Sequence, residues 1–293
     1  MNNGFFSRTI SKIRTYGELV MFSHTLFSLP FAMIAMFLAA NGLPENRIIF
    51  WIIVALFAGR NGANSLNRYI DARIDVKNPR TAGRHIPAGK VRAIDALLIA
   101  IFCFVIFVVA AAQINRLCLC LSPIAIFLFC LYSYTKRFTW LCHIVLGVTC
   151  AGAPVGAWIA VTESISYIPI LFAVAVTLWI AGFDIIYGTQ DIDFDRKEGL
   201  FSIPSRFGLK NSLRIAASFH IIMWLLLLSF FFTTQLSWIY LAGVIISGIL
   251  LTAEHRIISP SHRHKMNVAS YHINQIIGTL LLLTTVLDMI FLW

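Results

Sequence analysis

The stretch Asn67-Arg68-Tyr69-Ile70-Asp71-Ala72-Arg73-Ile74-Asp75 ends an apolar run that begins at Ile48. Residues four apart lie on one face of an α-helix, so Asn67, Asp71 and Asp75 would form a polar stripe. Two carboxylates at this spacing repel each other, and the C-terminal end of a helix disfavours negative charge. A divalent cation would remove both penalties, and Mg²⁺ often combines one or two carboxylates with substrate phosphates. The stretch therefore predicts a Mg²⁺ site at the end of an apolar helix.

A second acidic cluster follows a later apolar run and comprises Asp184, Asp191, Asp193 and Asp195. Asp191 and Asp195 repeat the four-residue spacing. The two clusters hold nearly half of the 13 acidic residues of the chain. Basic residues, glycines and prolines follow both clusters, and this parallel predicts a pseudo-repeat in which two helices face each other across one site.

The composition indicates an all-α, polytopic membrane protein, because 59% of the residues are hydrophobic and the mean hydropathy is +0.81. We predict about nine transmembrane helices in a single bundle with a central cavity that faces the cytoplasm. One domain is expected over residues 1–293, with residues 1–18 as a cytoplasmic lead-in. The spans are predicted near 19–40, 48–70, 94–112, 117–132, 140–161, 168–187, 213–232, 238–252 and 270–292.

The net charge of +10 is distributed by loop rather than by domain. Most of the 23 Lys and Arg residues fall in alternate loops, and the loops between them hold only Arg47 and Arg116. This asymmetry is the positive-inside pattern of membrane proteins, and it places both acidic clusters on the cytoplasmic side. It favours the lipid bilayer as the partner of the basic residues and argues against nucleic acid. The six cysteines lie in apolar runs without metal-type spacing, so we predict no disulfides.

Polar side chains within the predicted spans indicate a cavity, because such groups are costly in contact with lipid. Arg60 would lie about two turns before Asn67, and a buried arginine needs an acidic partner. That partner is either a carboxylate of the substrate or Asp184. His24, near the cytoplasmic end of the first span, either lines the cavity or bonds to a neighbouring helix.

The loop after the first cluster carries Arg80 and Arg84 among glycines and prolines. A solvated run of charge is the usual interpretation of such a loop. Because these arginines adjoin the paired aspartates, we favour the binding of an anion.

These motifs resemble the UbiA-type intramembrane aromatic prenyltransferases, and in particular their 4-hydroxybenzoate polyprenyltransferase-like branch. The first motif of that family is matched by Asn67, Asp71 and Asp75, with Arg60 before it and Arg80, Thr81, Arg84, Pro87 and Gly89 after it. The second motif is matched by Asp184, Tyr187, Asp191 and Asp195. Lys136 and Arg137 resemble the Lys-Arg pair that follows the fourth span. The chain departs from the family at Phe201 and Pro79, where lysine is common, and at Ser23-His24-Thr25.

The resemblance implies Mg²⁺-dependent transfer of a polyprenyl group from polyprenyl diphosphate to a hydroxylated aromatic acid in respiratory quinone biosynthesis, at a bacterial inner membrane. The implied metal ligands are Asn67, Asp71, Asp75, Asp191 and Asp195. Diphosphate contacts are expected from Arg80, Arg84 and Arg137. Asp191 would take up the phenolic proton, oriented by Tyr187. The aromatic substrate is expected near Arg60, His24 and Asp184.

Three alternatives stay open at this point. In two of them the chain is still a prenyltransferase, and its acceptor is a dihydroxynaphthoate for menaquinone, or else haem or chlorophyll. In the third, the chain is a secondary transporter with intramembrane acids. The position of the acids beside basic loops at the cytoplasmic mouth weighs against transport.

Overall fold

The computed structural model describes residues 25–258 and 269–292, and within these ranges the chain is helical without a β-strand. The α-helices are α1 (Thr25–Ala40), α2 (Asn46–Lys77), α3 (Ala93–Ile114), α4 (Arg116–Thr135), α5 (Cys142–Thr162), α6 (Tyr167–Gly188), α7 (Ile192–Lys197), α8 (Ile203–Thr233), α9 (Trp238–Ile257) and α10 (Asn274–Leu292). A 3₁₀ turn joins α6 to α7, and a π-helical turn precedes α10. The prediction of an all-α protein is confirmed.

Eight helical segments in the described ranges are long and apolar enough to cross a membrane. The protein is therefore an integral, multi-pass membrane protein. The first predicted span is described only from Thr25, as the 16-residue helix α1. The predicted lead-in of residues 1–18 lies outside the described residues. A total of nine spans, one domain and a cavity open to the cytoplasm stay predictions.

Helix α2 runs to Lys77, so the first acidic cluster lies inside its last turns, as its four-residue spacing predicts. One predicted boundary is wrong. The segment between the predicted spans near 168–187 and 213–232 was expected to be a loop, but helix α8 begins at Ile203. Pro204 does not break this helix because proline fits the first turn, where its missing N–H is not needed. Gly208 interrupts the helix without ending it, because it adopts a φ of 74° that other residues rarely reach.

The described residues form two compact units, whose boundaries in the chain lie within α1, near the start of α2 and near the end of α4. One unit is Phe50–Ser133, joined by the first residues of α1. The other unit contains Phe27–Ile49 and the chain from Tyr134 onward.

Close packing of α2 in the first unit depends on its small residues. A side chain at Gly59 would press on Phe129, and one at Gly62 would overlap Phe104. These two rings stack with their centroids 5.9 Å apart. The small residues therefore let α3 and α4 approach a helix that also carries polar groups.

In the second unit, helix α6 packs against α5 and α8, while α9 packs against α8 and α10. Trp179 of α6 is 1% exposed, and its ring centroid lies 4.6 Å from that of Phe31. The indole Nε1 donates to Oδ1 of Asn274 at 2.6 Å, and Asn274 donates to Oε1 of Glu254 at 3.0 Å. This buried chain of hydrogen bonds connects three helices.

Gly147 brings α5 and α6 together, because a methyl group at this position would collide with the backbone carbonyl oxygen of Thr177. We predict that Gly147→Ala lowers the free energy of unfolding by about 1–3 kcal/mol, the usual cost of overpacking. Gly152 on the same helix has no neighbour within 4 Å of such a methyl group and is the matched control. Gly152→Ala should leave stability unchanged or raise it slightly. Thermal unfolding in detergent measures both, and equal midpoints for the two variants would contradict the prediction.

Candidate active site

The first acidic cluster lies on one face of α2, as its spacing predicts. The amide Nδ2 of Asn67 donates to Oδ2 of Asp71 at 2.8 Å and to the hydroxyl of Ser133 at 3.5 Å. One turn later, Asp75 is 5% exposed and accepts both of its side-chain hydrogen bonds from Nη1 of Arg84, at 2.7 and 2.8 Å. The loop after α2 therefore folds back over the end of the helix.

This loop is held in place by its own backbone and side chains. The hydroxyl of Thr81 donates to the backbone oxygen of Asp75 at 3.1 Å, and the backbone N–H of Arg80 donates to Oδ1 of Asn78 at 2.9 Å. Arg80 is exposed, whereas the side chain of Arg84 is 27% exposed. The two arginines that were predicted to bind an anion therefore differ in exposure, and both belong to the loop that follows the first acidic cluster.

Arg60 lies on the same helix and is partly buried. The phenol of Tyr132 is within electrostatic reach of both Arg60 and Asp71, and its hydroxyl donates to the carbonyl oxygen of Ala63 at 3.1 Å. The polar half of α2 is therefore packed against protein along at least one side.

The second acidic cluster begins near the end of α6 and continues through the 3₁₀ turn into α7. Asp191 is 4% exposed and Asp195 is fully buried, whereas Asp193 is exposed. Oδ2 of Asp195 accepts a hydrogen bond from the hydroxyl of Ser202 at 2.9 Å. Ser202 also caps α8 in a reciprocal arrangement with Ser205, so the start of α8 orients this carboxylate.

Lys136 is the cationic partner of Asp195, with Nζ 2.9 Å from Oδ1. Burial by itself lowers the pKa of Lys136, but the charges of Asp195 and Asp191 outweigh it and hold this pKa above its ordinary value. The backbone oxygen of Lys136 accepts from the N–H of Phe201 at 2.8 Å. The loop before α5 and the loop before α8 therefore meet at this ion pair.

Two further side chains of the second motif have partners in the second unit. Asp184 is paired with His143 of α5, whose Nδ1 lies 2.6 Å from Oδ2. Tyr187 meets Tyr271 edge to face, with the ring centroids 5.3 Å apart. The guanidinium of Arg137 lies 5.3 Å from the centre of the Tyr134 ring.

Sequence reasoning missed two residues of this region. No role in the site was predicted for His143, and Lys136 was noted only as part of a Lys-Arg pair. The sequence feature that pointed to Lys136 was its place in the Lys-Arg pair of the family. His143 had no local signal, because its partner lies 41 residues away in sequence. His24, predicted near the aromatic substrate, lies outside the described residues.

Among the described residues, no three His, Cys, Asp or Glu side chains converge closely enough to hold a metal ion. Mg²⁺ does not require such a cage, because one or two carboxylates can complete its shell with waters and substrate phosphates. The buried carboxylates Asp75 and Asp195 are hard oxygen donors of this kind, each beside a cation that would also attract phosphate. Each of these carboxylates, taken by itself, fits as a ligand of a Mg²⁺ ion that also binds diphosphate.

The six cysteines are all free in the structure.

Comparison with known proteins identifies a family for this arrangement. Residues 28–276 match the model described as the UbiA prenyltransferase family. The 4-hydroxybenzoate octaprenyltransferase of Vibrio cholerae serotype O1 is 32% identical over 204 residues, which cover 68% of this chain and 72% of that enzyme. Residues 28–276, which match the family model, include both acidic motifs and their basic loops.

Solved structures show the same fold. A UbiA homologue from Aeropyrum pernix K1 superposes with a TM-score of 0.83 at 28% identity, covering 91% of this chain and 98% of that chain. A UbiA homologue from Archaeoglobus fulgidus bound to DMAPP and Mg²⁺ gives a TM-score of 0.64 at 18% identity, covering 91% and 99%. At that identity the second likeness concerns the fold alone.

Proposed function

The chain belongs to the UbiA prenyltransferase family, and from this premise we propose that it transfers a polyprenyl group from polyprenyl diphosphate to a ring carbon of a hydroxylated aromatic acid. The acceptor we favour resembles 4-hydroxybenzoate, as in the Vibrio cholerae relative. The observation that carries the proposal is that each acidic motif pairs a buried carboxylate with a cation, Asp75 with Arg84 and Asp195 with Lys136. In each pair the carboxylate suits Mg²⁺, and the cation suits the negatively charged diphosphate.

The diphosphate end of the donor would be held by this chain's basic groups. Arginine has five N–H donors, and the contacts of Arg84 to Asp75 use only Nη1. Its remaining side-chain donors bond to none of the described residues and could therefore reach phosphate oxygens while the ion pair persists. Arg80 and Arg137 are the further proposed contacts. Fixed cations at the leaving group stabilise charge that grows in the transition state.

The proposed metal ligands are Asn67, Asp71, Asp75, Asp191 and Asp195. Bound Mg²⁺ would neutralise the negative charge of the diphosphate leaving group, so that the C–O bond to the prenyl chain breaks more easily. The structure of the Archaeoglobus fulgidus homologue, which has the same fold, contains DMAPP and Mg²⁺. This supports Mg²⁺ as the proposed metal.

The remaining residues act on the acceptor in this proposal. Asp191 accepts the phenolic proton, and Tyr187 orients that carboxylate. The ring carbon beside the hydroxyl forms the new C–C bond as the C–O bond to diphosphate breaks. Loss of the ring proton from that carbon to solvent restores the aromatic ring as a phenolate, which takes back the proton held by Asp191. Exclusion of water by the surrounding helices protects the allylic cation. The loop charges favour a site that opens to the cytoplasm, in a bacterial inner membrane.

Membranes that contain the protein should make a prenylated aromatic product from a polyprenyl diphosphate in the presence of Mg²⁺. The product mass should equal acceptor plus prenyl group minus one hydrogen, with one diphosphate released per product. We would offer 4-hydroxybenzoate, a dihydroxynaphthoate and no acceptor, each with Mg²⁺ and with a chelator. A chelator should abolish product formation. Absence of product and of diphosphate release with every acceptor would contradict the proposed function.

A further inference from the structure

Asp184 is held by a side chain that the proposed reaction has not yet used. Nδ1 of His143 lies 2.6 Å from Oδ2 of Asp184, a distance at which the two groups share one proton and orient each other. His143 is 4% exposed, whereas the side chain of Asp184 keeps 26% of its surface exposed. Asp184 is therefore the accessible end of a buried pair.

The contacts of Asp184 use only one of its two oxygens. Its ion pair and hydrogen bond in the described part of the chain both run from Oδ2 to His143. Oδ1 makes no hydrogen bond with the described residues. A carboxylate within an apolar helix is costly unless each oxygen finds a donor, so Oδ1 suits a donor supplied by a ligand.

Helix α6 is shaped to receive the imidazole ring. A methyl group at Gly188 would lie only 3.0 Å from Cε1 of His143, so a larger residue there would press on the ring. His143 thus occupies a fitted position between α5 and the end of α6. Asp184, Tyr187 and Gly188 share one face of α6, and Asp191 follows on the next turn.

We propose that His143 is a positioning residue for the prenyl acceptor: it holds Asp184 through Oδ2 so that Oδ1 accepts a hydrogen bond from the phenolic hydroxyl of the bound substrate, before that proton passes to Asp191. This inference rests on the proposed function and deepens it by naming what orients the acceptor. A simple brace between α5 and α6 would need the same ion pair but no exposed oxygen.

Two substitutions of His143 separate positioning from packing. His143→Leu removes the donor to Asp184, and the KM for the acceptor should rise at least about 10-fold, the scale for a lost hydrogen bond to a charged group. His143→Asn places an amide N–H near the position of Nδ1 and should restore the acceptor KM to within about 3-fold of wild type. The KM for polyprenyl diphosphate should change less than about 2-fold in both.

His220 provides the matched control. It is also a buried histidine with one side-chain partner, His255 at 2.9 Å, and it also lies against a glycine of α6, Gly182. It contacts no carboxylate among the described residues. His220→Leu should lower the thermal stability without a selective change in the acceptor KM.

A double substitution tests whether His143 acts through Asp184. If it does, His143→Leu combined with Asp184→Asn has the same acceptor KM as Asp184→Asn alone, because coupled residues are not additive. An acceptor KM within 2-fold of wild type in His143→Leu overturns the inference, as does an equal rise in the KM values of both substrates. If His143→Leu does not fold, an unchanged acceptor KM in Asp184→Asn overturns it. These KM comparisons require wild-type protein that makes product. A result that overturns the inference is therefore distinct from failure of the proposed function.

Discussion

Replacing Asp195 with asparagine is expected to reduce the turnover number by at least about 10²-fold, the scale for loss of one group that stabilises transition-state charge. Asp195 is fully buried, and its carboxylate lies between Lys136 and Ser202. Asparagine keeps the shape and the bond from Ser202 but removes the negative charge. The proposed Mg²⁺–diphosphate complex would then lose a ligand and face an unbalanced lysine.

Asp193→Asn is the matched control, because Asp193 lies two residues away on α7 and is exposed. Its turnover should stay within about 2-fold of wild type, since solvent screens exposed charges. The dependence of the rate on Mg²⁺ concentration separates ligand loss from unfolding. Asp195→Asn should require more Mg²⁺ for half-maximal rate, whereas a merely destabilised variant should lose thermal stability with an unchanged Mg²⁺ requirement. Near-wild-type turnover in Asp195→Asn would rule out this residue as a metal ligand.

Arg60→Leu is expected to reduce kcat/KM for a hydroxybenzoate by about 10- to 100-fold, which corresponds to about 1.5–3 kcal/mol for a hydrogen bond to a charged group. In this prediction the guanidinium binds the acceptor's carboxylate. Arg60 is partly buried about two turns before Asn67, deeper in α2 than a diphosphate contact requires. The planar fork of arginine matches a carboxylate in two-bond geometry, so Arg60→Lys should recover only part of the loss.

The measurement compares a hydroxybenzoate with the phenol that lacks the carboxyl group. Wild-type protein should prefer the acid, and Arg60→Leu should lose that preference while its rate with the phenol changes little. The alternative partner for Arg60 in the sequence interpretation was Asp184, which the structure pairs with His143. An equal loss with both acceptors would show that Arg60 supports the helix bundle and does not bind the acid.

The acidic motifs show how far local sequence determines a site. Helical periodicity alone placed Asn67 and Asp71 on one face, and the structure joins them by a hydrogen bond of 2.8 Å. The same periodicity separated exposed Asp193 from buried Asp191 and Asp195. Such predictions succeed because they depend on contacts within three or four residues of chain.

The helix boundaries show where local rules conflict. Pro204 and Gly208 lie in the segment that was predicted as a loop before the span near 213–232, yet α8 begins before the first and continues past the second. Proline and glycine do not by themselves say whether a helix starts, bends or stops. Here the cap supplied by Ser202, which also bonds to Asp195, decides that the helix begins at Ile203.

The sequence by itself determined that this chain is an all-helical membrane protein with two acidic motifs beside basic loops, because hydropathy and helical spacing are local properties. Only the tertiary structure decided the partners of those acids. Lys136 meets Asp195 and His143 meets Asp184 across many residues of intervening chain. The second pair also depends on the close approach of α5 and α6, which Gly147 and Gly188 allow. Which side chains then meet depends on helix packing, which no periodicity along one segment encodes.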